Sequence, residues 1–163
     1  MNIEKDFTEV YHTYAPKVQR LCLGYASGNE ELAKEWLQET FIKVWNHRRS
    51  FEGKSSLGTW IYRIAVNVCL SDLRRSKSYQ QINENILSEE INEADEDKKD
   101  KDIMRMYHCI EQLTEQNKVL ILLELEEIPQ ATIAETTGLA HGAVRTRLSR
   151  IRKALLKCIT YEK

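Results

Sequence analysis

Apolar residues recur at intervals of three and four along most of this 163-residue chain, the period of helices that bury one face. Phe7, Tyr11, Tyr14, Val18, Leu21 and Tyr25 form the first such stretch, and Pro16 is expected to bend or restart it. Ser27-Gly28-Asn29 signals a turn, with Asn29 positioned to cap a second helix. That helix, about Glu30 to Arg48, places Leu32, Trp36, Ile42 and Trp45 among its apolar positions. Arg49 to Ser56 is polar, contains Gly53 and reads as a loop. Helix resumes from Leu57 to Lys77, with Trp60, Ile64, Val68 and Leu73 turned inward.

Residues 79–102 have few large apolar residues and many charges, too little to bury, and are expected to form a flexible linker. Helical pattern returns near Ile103, and Thr114 is positioned as a cap before the apolar run VLILLEL. The expected architecture is all-α: two small helical domains, 1–78 and 103–163, joined by an acidic linker at 79–102.

The richest segment is IAETTGLAHGAVRTRLSRIRKALLK, Ile133 to Lys157. Val144, Leu148, Ile151 and Leu155 make an apolar stripe at spacings of four, three and four. Thr146, Ser149, Arg150, Lys153 and Lys157 fall on the other side, flanked by Arg145 and Arg147. From His141 to Lys157, inclusive, there are six Lys or Arg and no Asp or Glu. Two tightly crossing helices need a small residue at the contact, a turn residue tolerant of positive φ and a branched apolar anchor. Ala134, Gly138 and Val144 supply these, which predicts a helix-turn-helix. Thr146, Arg147 and Arg150 are then placed to read base edges, with Arg145, Arg152 and Lys153 nearer phosphates. An ordinary amphipathic helix with a solvated basic face is the plainer alternative.

Charge distribution supports division of the chain. The net charge is only −1, but residues 1–78 carry 12 Lys/Arg against 9 Asp/Glu and residues 103–163 carry 9 against 7. Residues 79–102 carry 3 against 9, so an acidic middle separates two mildly basic ends. Cys22, Cys69, Cys109 and Cys158 are widely spaced among apolar residues, without zinc-site spacing, and are expected to be buried free thiols. MNIEKDFTEV resembles no secretion signal, and no apolar run nears membrane-spanning length. A reducing, cytoplasmic setting is the expectation.

In the N-terminal half, Gln38-Glu39 in LQETFIKVW sets an amide and a carboxylate beside apolar residues. GTWIYRIAVNVCLSDLRR interleaves Trp60 and Tyr62 with Arg63, Asn67, Arg74 and Arg75. Aromatics beside cations suit unstacked bases and a phosphate backbone, although aromatics at helical spacing are more often core. Together with LTEQNKVLILLELEEIPQATIAETTGLAHGAVRTRLSRIRKAL, these segments resemble the extracytoplasmic-function group of the bacterial sigma-70 family, over residues 7–78 and 106–157 and in the family's order.

The resemblance implies roles at matching positions. Glu35, Gln38, Glu39 and Asn46 would contact the clamp helices of the largest subunit of core RNA polymerase. The loop Phe51–Leu57 would receive a flipped base of the −10 element, with Lys54, Ser55 and Ser56 as polar contacts. Trp60, Tyr62, Arg63, Asn67, Ser71, Arg74 and Arg75 would line the same strand, because opening DNA demands a pocket for the base and cations for the displaced backbone. Gly142, Arg145, Thr146, Arg147, Ser149, Arg150 and Lys153 would face the −35 element. Promoter DNA, core polymerase and an anti-sigma factor are the implied partners.

The chain departs from the family pattern in three places. Glu35-Trp36-Leu37 stands where Asp-Leu-Val is usual, Pro129 replaces a usual serine, and Ala140 replaces the serine opening the recognition helix. The last removes a cap worth on the order of 1 kcal/mol. The acidic linker would enter the polymerase channel as a rough mimic of a nucleic-acid backbone, or cover the basic recognition helix in the free protein; a plain solvated spacer is the alternative.

His12, His47, His108 and His141 are scattered, and no H-E-x-x-H, Walker loop or G-x-S-x-G occurs. No catalysis, cofactor, metal or small-molecule substrate is expected. A stand-alone helix-turn-helix regulator and a non-DNA adaptor are the competing readings. The first has no need of a clamp-binding helix, and the second no need of a basic recognition face.

Overall fold

The computed structural model describes residues 2–82 and 98–161, with side chains placed for 2–77 and 100–161. Among these residues there is helix and no strand: α1 (Phe7–Tyr25), α2 (Glu30–Asn46), a 3-10 turn (Arg48–Ser50), α3 (Leu57–Ile82), α4 (Lys98–Glu111), α5 (Glu115–Leu125), α6 (Gln130–Thr137) and α7 (His141–Tyr161).

Helices α1, α2 and α3 pack into one bundle and α4 to α7 into a second. In the first, Val10, Val18, Leu21 and Cys22 of α1 meet Ala33, Trp36, Phe41 and Val44 of α2 and Ile61, Ala65, Val68 and Cys69 of α3. Pro16 lies inside α1 without ending it. The expected restart does not occur, because Val10 before it and Val18 and Leu21 after it are anchored in one core, and such packing outweighs one lost backbone bond. The expected caps form: the Asn29 side chain accepts from Leu32 N at 3.1 Å, and Thr114 accepts from Asn117 N at 3.3 Å.

The buried arc of α3 is wider than the stripe Trp60–Ile64–Val68–Leu73. Ile61, Tyr62, Ala65 and Cys69 are buried, while Trp60, Ile64 and Leu73 are only half-buried. The cause is that α3 packs on α1 and α2 along one side and on α6 along another. Trp36 ties the first bundle internally, donating from Nε1 to Asp72 Oδ2 on α3 at 3.0 Å. Trp36→Phe keeps most of the packing and removes that charge-assisted bond, so the urea unfolding midpoint should fall by an equivalent of about 1–2 kcal/mol.

The ends of the expected linker are helical. α3 continues to Ile82 and α4 begins at Lys98, since neither margin contains Gly or Pro to break a helix. Residues 83–97, and with them the expected shielding of the recognition helix by linker acids, lie outside the described residues.

One expectation about the cysteines is corrected. Cys22 and Cys69 are buried free thiols, with Sγ atoms 3.7 Å apart. Cys109 and Cys158, however, are joined in a disulfide with Cα atoms 6.0 Å apart. They are 49 residues apart in sequence; only the packing of α4 on α7 brings them together.

Candidate nucleic-acid and partner interfaces

Helix α2 buries Ala33, Trp36, Leu37, Thr40, Phe41 and Val44, and that full face leaves other apolar residues outside. Ile42 is 59% exposed and Trp45 38%, although periodicity places both among the core positions. With Phe7, Tyr11, Gln38 and Phe41 they line an apolar groove of about 540 Å³ between α1 and α2. Phe7 meets the Trp45 ring edge-on at 5.1 Å, and Tyr11 meets Phe41 at 4.8 Å. The Arg48 guanidinium lies 3.9 Å from the Trp45 ring centre and donates to the Trp45 carbonyl at 2.9 Å. Arg48 also pairs with Glu4 at 3.3 Å, and that hydrogen bond, with the charges of Arg48 and Arg49, holds the Glu4 carboxyl below its ordinary range.

Of the four α2 residues singled out by sequence, Gln38 lines this groove. Glu35 and Asn46 are exposed beyond its lining, and Glu39 pairs with Lys43 at 3.5 Å. Sequence reasoning misses Phe7, Tyr11, Ile42 and Trp45 as surface candidates. For Ile42 and Trp45 the signal is an excess of apolar positions on α2 beyond the number one helix face can bury; Phe7 and Tyr11 lie on α1.

The loop before α3 is held at both ends. Phe51 packs on Trp60 with ring centres 5.2 Å apart. Ser56 caps α3, accepting from Thr59 N at 3.1 Å and donating to Thr59 Oγ1 at 2.9 Å. Between these ends Ser55 is half-buried and donates to Ser56 O at 3.3 Å, while Lys54 is exposed and pairs with Glu52 at 2.5 Å. Tyr62 is buried edge-on against Tyr14 at 6.1 Å, and burial first, then the neighbouring Tyr14 and Glu126, pushes its phenol up to about 12. Its ring is therefore core here, the plainer reading of an aromatic at helical spacing.

Arg63, Asn67, Ser71, Arg74 and Arg75 form an exposed polar face along α3. Arg75 pairs with Asp72 at 3.3 Å. Arg63 and Asn67 share a cleft of about 310 Å³ with Gln116 and Thr136 of the second bundle. Arg63 Nε donates to Thr136 O at 3.3 Å, and its Nη2 donates to Glu135 O.

The helix-turn-helix forms as the three-residue spacing predicts. Gly138 sits in the left-handed region at φ 75° and donates to Ala134 O at 2.9 Å, a conformation that favours glycine. Ala134 and Val144 are both buried at the crossing. Pro129 occupies the N-cap of α6. Ala140 offers no side-chain acceptor at the start of α7, and its carbonyl accepts from Val144 N at 3.0 Å. Val144, Leu148, Ile151 and Leu155 are all buried.

Opposite that stripe Gly142, Arg145, Thr146, Arg150 and Lys153 are exposed, and Ser149 is half-exposed. Thr146 donates back to Gly142 O at 3.0 Å. Two arginines pair with α5 instead. Arg147 donates to Gln116 of α5, and Arg152 makes a two-point pair with Glu124 of α5 at 2.9 and 2.5 Å. These fasten α7 to its bundle.

Comparison with known proteins assigns both bundles. The family description Sigma-70 region 2 matches residues 10–79, and Sigma-70, region 4 matches residues 103–155. The ECF RNA polymerase sigma-E factor of Haemophilus influenzae is 31% identical over 93% of this chain and 86% of its own length. The RNA polymerase sigma factor YlaC of Bacillus subtilis is 34% identical over 80% of this chain and 79% of its own. Two solved structures share the fold. One is the sigma factor RpoE in complex with the anti-sigma factor NepR from Bartonella quintana, with TM-score 0.75 and 21% identity over 98% of this chain and 99% of that one. The other is CnrH in complex with the cytosolic domain of CnrY, with TM-score 0.74 and 17% identity over 98% and 91%.

A helical bundle of the region 2 kind and a helix-turn-helix of the region 4 kind on one chain define a promoter-specificity subunit of bacterial RNA polymerase. This chain belongs to the sigma-70 family, in its extracytoplasmic-function group. It joins core polymerase, directs it to specific promoters and helps open the −10 region.

Proposed function

We propose a division of this work among three surfaces, two on the binding domain of residues 1–78 and one on the helix-turn-helix domain of residues 103–163, with residues 79–102 as the acidic linker between them. The groove on α2, with Gln38 in its lining and Glu35, Glu39 and Asn46 around it, docks on the clamp helices of the largest polymerase subunit. The observation that carries this reading is the exposed Ile42–Trp45 edge, an apolar surface that a DNA-only regulator has no use for.

The loop Phe51–Leu57 and the polar face of α3 receive the opened −10 strand. Lys54 is free in space to swing from Glu52, because an exposed ion pair holds it weakly. Ser55, Trp60, Arg63, Asn67, Ser71, Arg74 and Arg75 follow along the strand. Ser56 contributes by fixing the loop through its cap, and Tyr62 by supporting α3 from beneath.

The −35 duplex meets α7 through Gly142, Arg145, Thr146, Ser149, Arg150 and Lys153, while Arg147 braces the helix on α5. Ala140 in place of a capping serine alters how this helix starts, and the −35 preference follows from it. An anti-sigma factor is the natural regulator, supported by the two related folds solved with such partners.

The reading is tested by run-off transcription with purified core polymerase on a genomic library. Promoter-specific transcripts are expected; their absence, where a control sigma factor succeeds, overturns it. Within a promoter so found, Arg150→Ala should cost about 1–3 kcal/mol of duplex affinity and relax base preference at one position. Lys153→Ala should weaken binding evenly across sequences and lower the salt slope by about one unit. Fluorescence anisotropy over a salt series separates the two.

A further inference from the structure

The four cysteines fall into two pairs, one in each bundle, and the pairs differ in what can reach them. Cys22 and Cys69 are wholly buried in the first bundle. The Cys69 thiol donates to Cys22, and that bond, then burial, pushes it up. A thiol kept protonated away from solvent takes no part in exchange. Cys109 of α4 is buried as well, but its disulfide partner Cys158 on α7 is only half-buried. One end of the second pair is therefore open to a small thiol from outside.

The tie sits where the second bundle is thinnest. Among the described side chains of α4 only Cys109 and Ile110 are buried, so that helix has few other anchors. Past Leu155 no described residue of α7 is fully buried: Cys158 and Ile159 are half-buried, and Leu156 and Tyr161 are exposed. The whole bundle, α4 to α7, is shorter than the roughly 70–80 residues over which a single core holds well without a staple. Cutting the tie leaves α5 and α6 to keep the reading helix in place on a small core.

Core polymerase and DNA share a compartment that thiol reductants hold reduced, where a protein disulfide is as a rule transient or redox-sensing. We propose that Cys109–Cys158 is a reversible thiol–disulfide site, exchanging with small dithiols and disulfides, whose state sets how much of the chain can hold −35 DNA. The proposal rests on the assignment of α7 to the −35 duplex. In the reducing direction a thiolate of the dithiol attacks Cys158 Sγ, and Cys109 departs as a thiolate that takes up a proton. The second thiolate of the reductant then attacks its own sulfur in the mixed disulfide. Cys158 is released and protonated, and the reductant leaves as a cyclic disulfide. Two electrons and two protons pass from reductant to protein, and a small disulfide such as oxidised glutathione returns them as two monothiols.

The test uses the full chain, oxidised or reduced with dithiothreitol, and reads binding of a labelled mixed-sequence duplex of about 25 base pairs by anisotropy at low salt. The reduced chain should bind at least about fivefold more weakly, the result of no more than about one molecule in five keeping the bundle folded. Oxidised glutathione should restore binding. Cys109→Ala/Cys158→Ala should bind like the reduced chain and respond to neither reagent. Lys153→Ala in the oxidised chain reports whether the duplex sits on α7. A pair that alkylation finds open after oxidised glutathione overturns the site, as does an equal response to reductant in Cys109→Ala/Cys158→Ala. Opening of the pair without weaker binding, where Lys153→Ala does weaken it, overturns the control and leaves the −35 assignment standing. Binding indifferent to both reductant and Lys153→Ala overturns that assignment and this proposal with it.

Discussion

Ile42→Glu is expected to raise the dissociation constant for core polymerase by about 30-fold or more, equivalent to at least about 2 kcal/mol. A carboxylate at this position places charge in the middle of the apolar groove formed with Phe7, Tyr11 and Trp45, where docking would strip it of water without offering a partner. The unfolding midpoint should barely move, because the side chain is exposed in the free chain and surface changes are worth within about 0.5 kcal/mol. The pair of measurements separates docking from folding: equilibrium binding to labelled core polymerase, and urea unfolding of the variant alone. Unaltered polymerase affinity would remove the groove from the docking surface.

The second large effect concerns Cys109–Cys158. The bond closes a loop of 49 residues, and constraining the unfolded chain over such a length contributes about 4 kcal/mol in the chain-entropy account. Cys109→Ser, or reductant added to the wild type, should lower the urea midpoint of the second bundle by a matching amount and leave the first unchanged. Alkylation after unfolding without reductant should label two of the four cysteines, Cys22 and Cys69. Labelling of all four, with a midpoint insensitive to reductant, would show the tie to be absent in solution.

Which of these features the sequence discloses depends on how local their causes are. Ala134, Gly138 and Val144 can be read because a helix-turn-helix is specified within ten or so residues by size and backbone freedom. Asn29 and Thr114 are legible as caps for the same reason: donor and acceptor are three residues apart. Periodicity misplaces Ile42 and Trp45 in the core, since a period of three and four marks an apolar face without saying which surface covers it. The pairing of Arg147 and Arg152 with α5 depends on Gln116 and Glu124 on another helix, and the pairing of Cys109 with Cys158 depends on α4 meeting α7. The ion pair of Arg20 with Glu126 joins residues far apart in sequence, so no window along the chain can reveal it.

The way Arg48 lies on Trp45 has a consequence for the speed and economy of assembly. An exposed indole ordinarily samples several rotamers, and a partner must select one and freeze it, which costs about 0.5–1.5 kcal/mol for each side chain immobilised. Here the guanidinium covers one face of the ring and Phe7 abuts its edge, so the indole is already in a single pose before any partner arrives. Under the proposed docking, a partner meets the remaining face of this posed indole together with Ile42 and the rest of the groove lining. If the groove docks as proposed, it does so as a pre-set, one-sided template, and a partner is selected by shape at first encounter rather than by mutual adjustment afterwards.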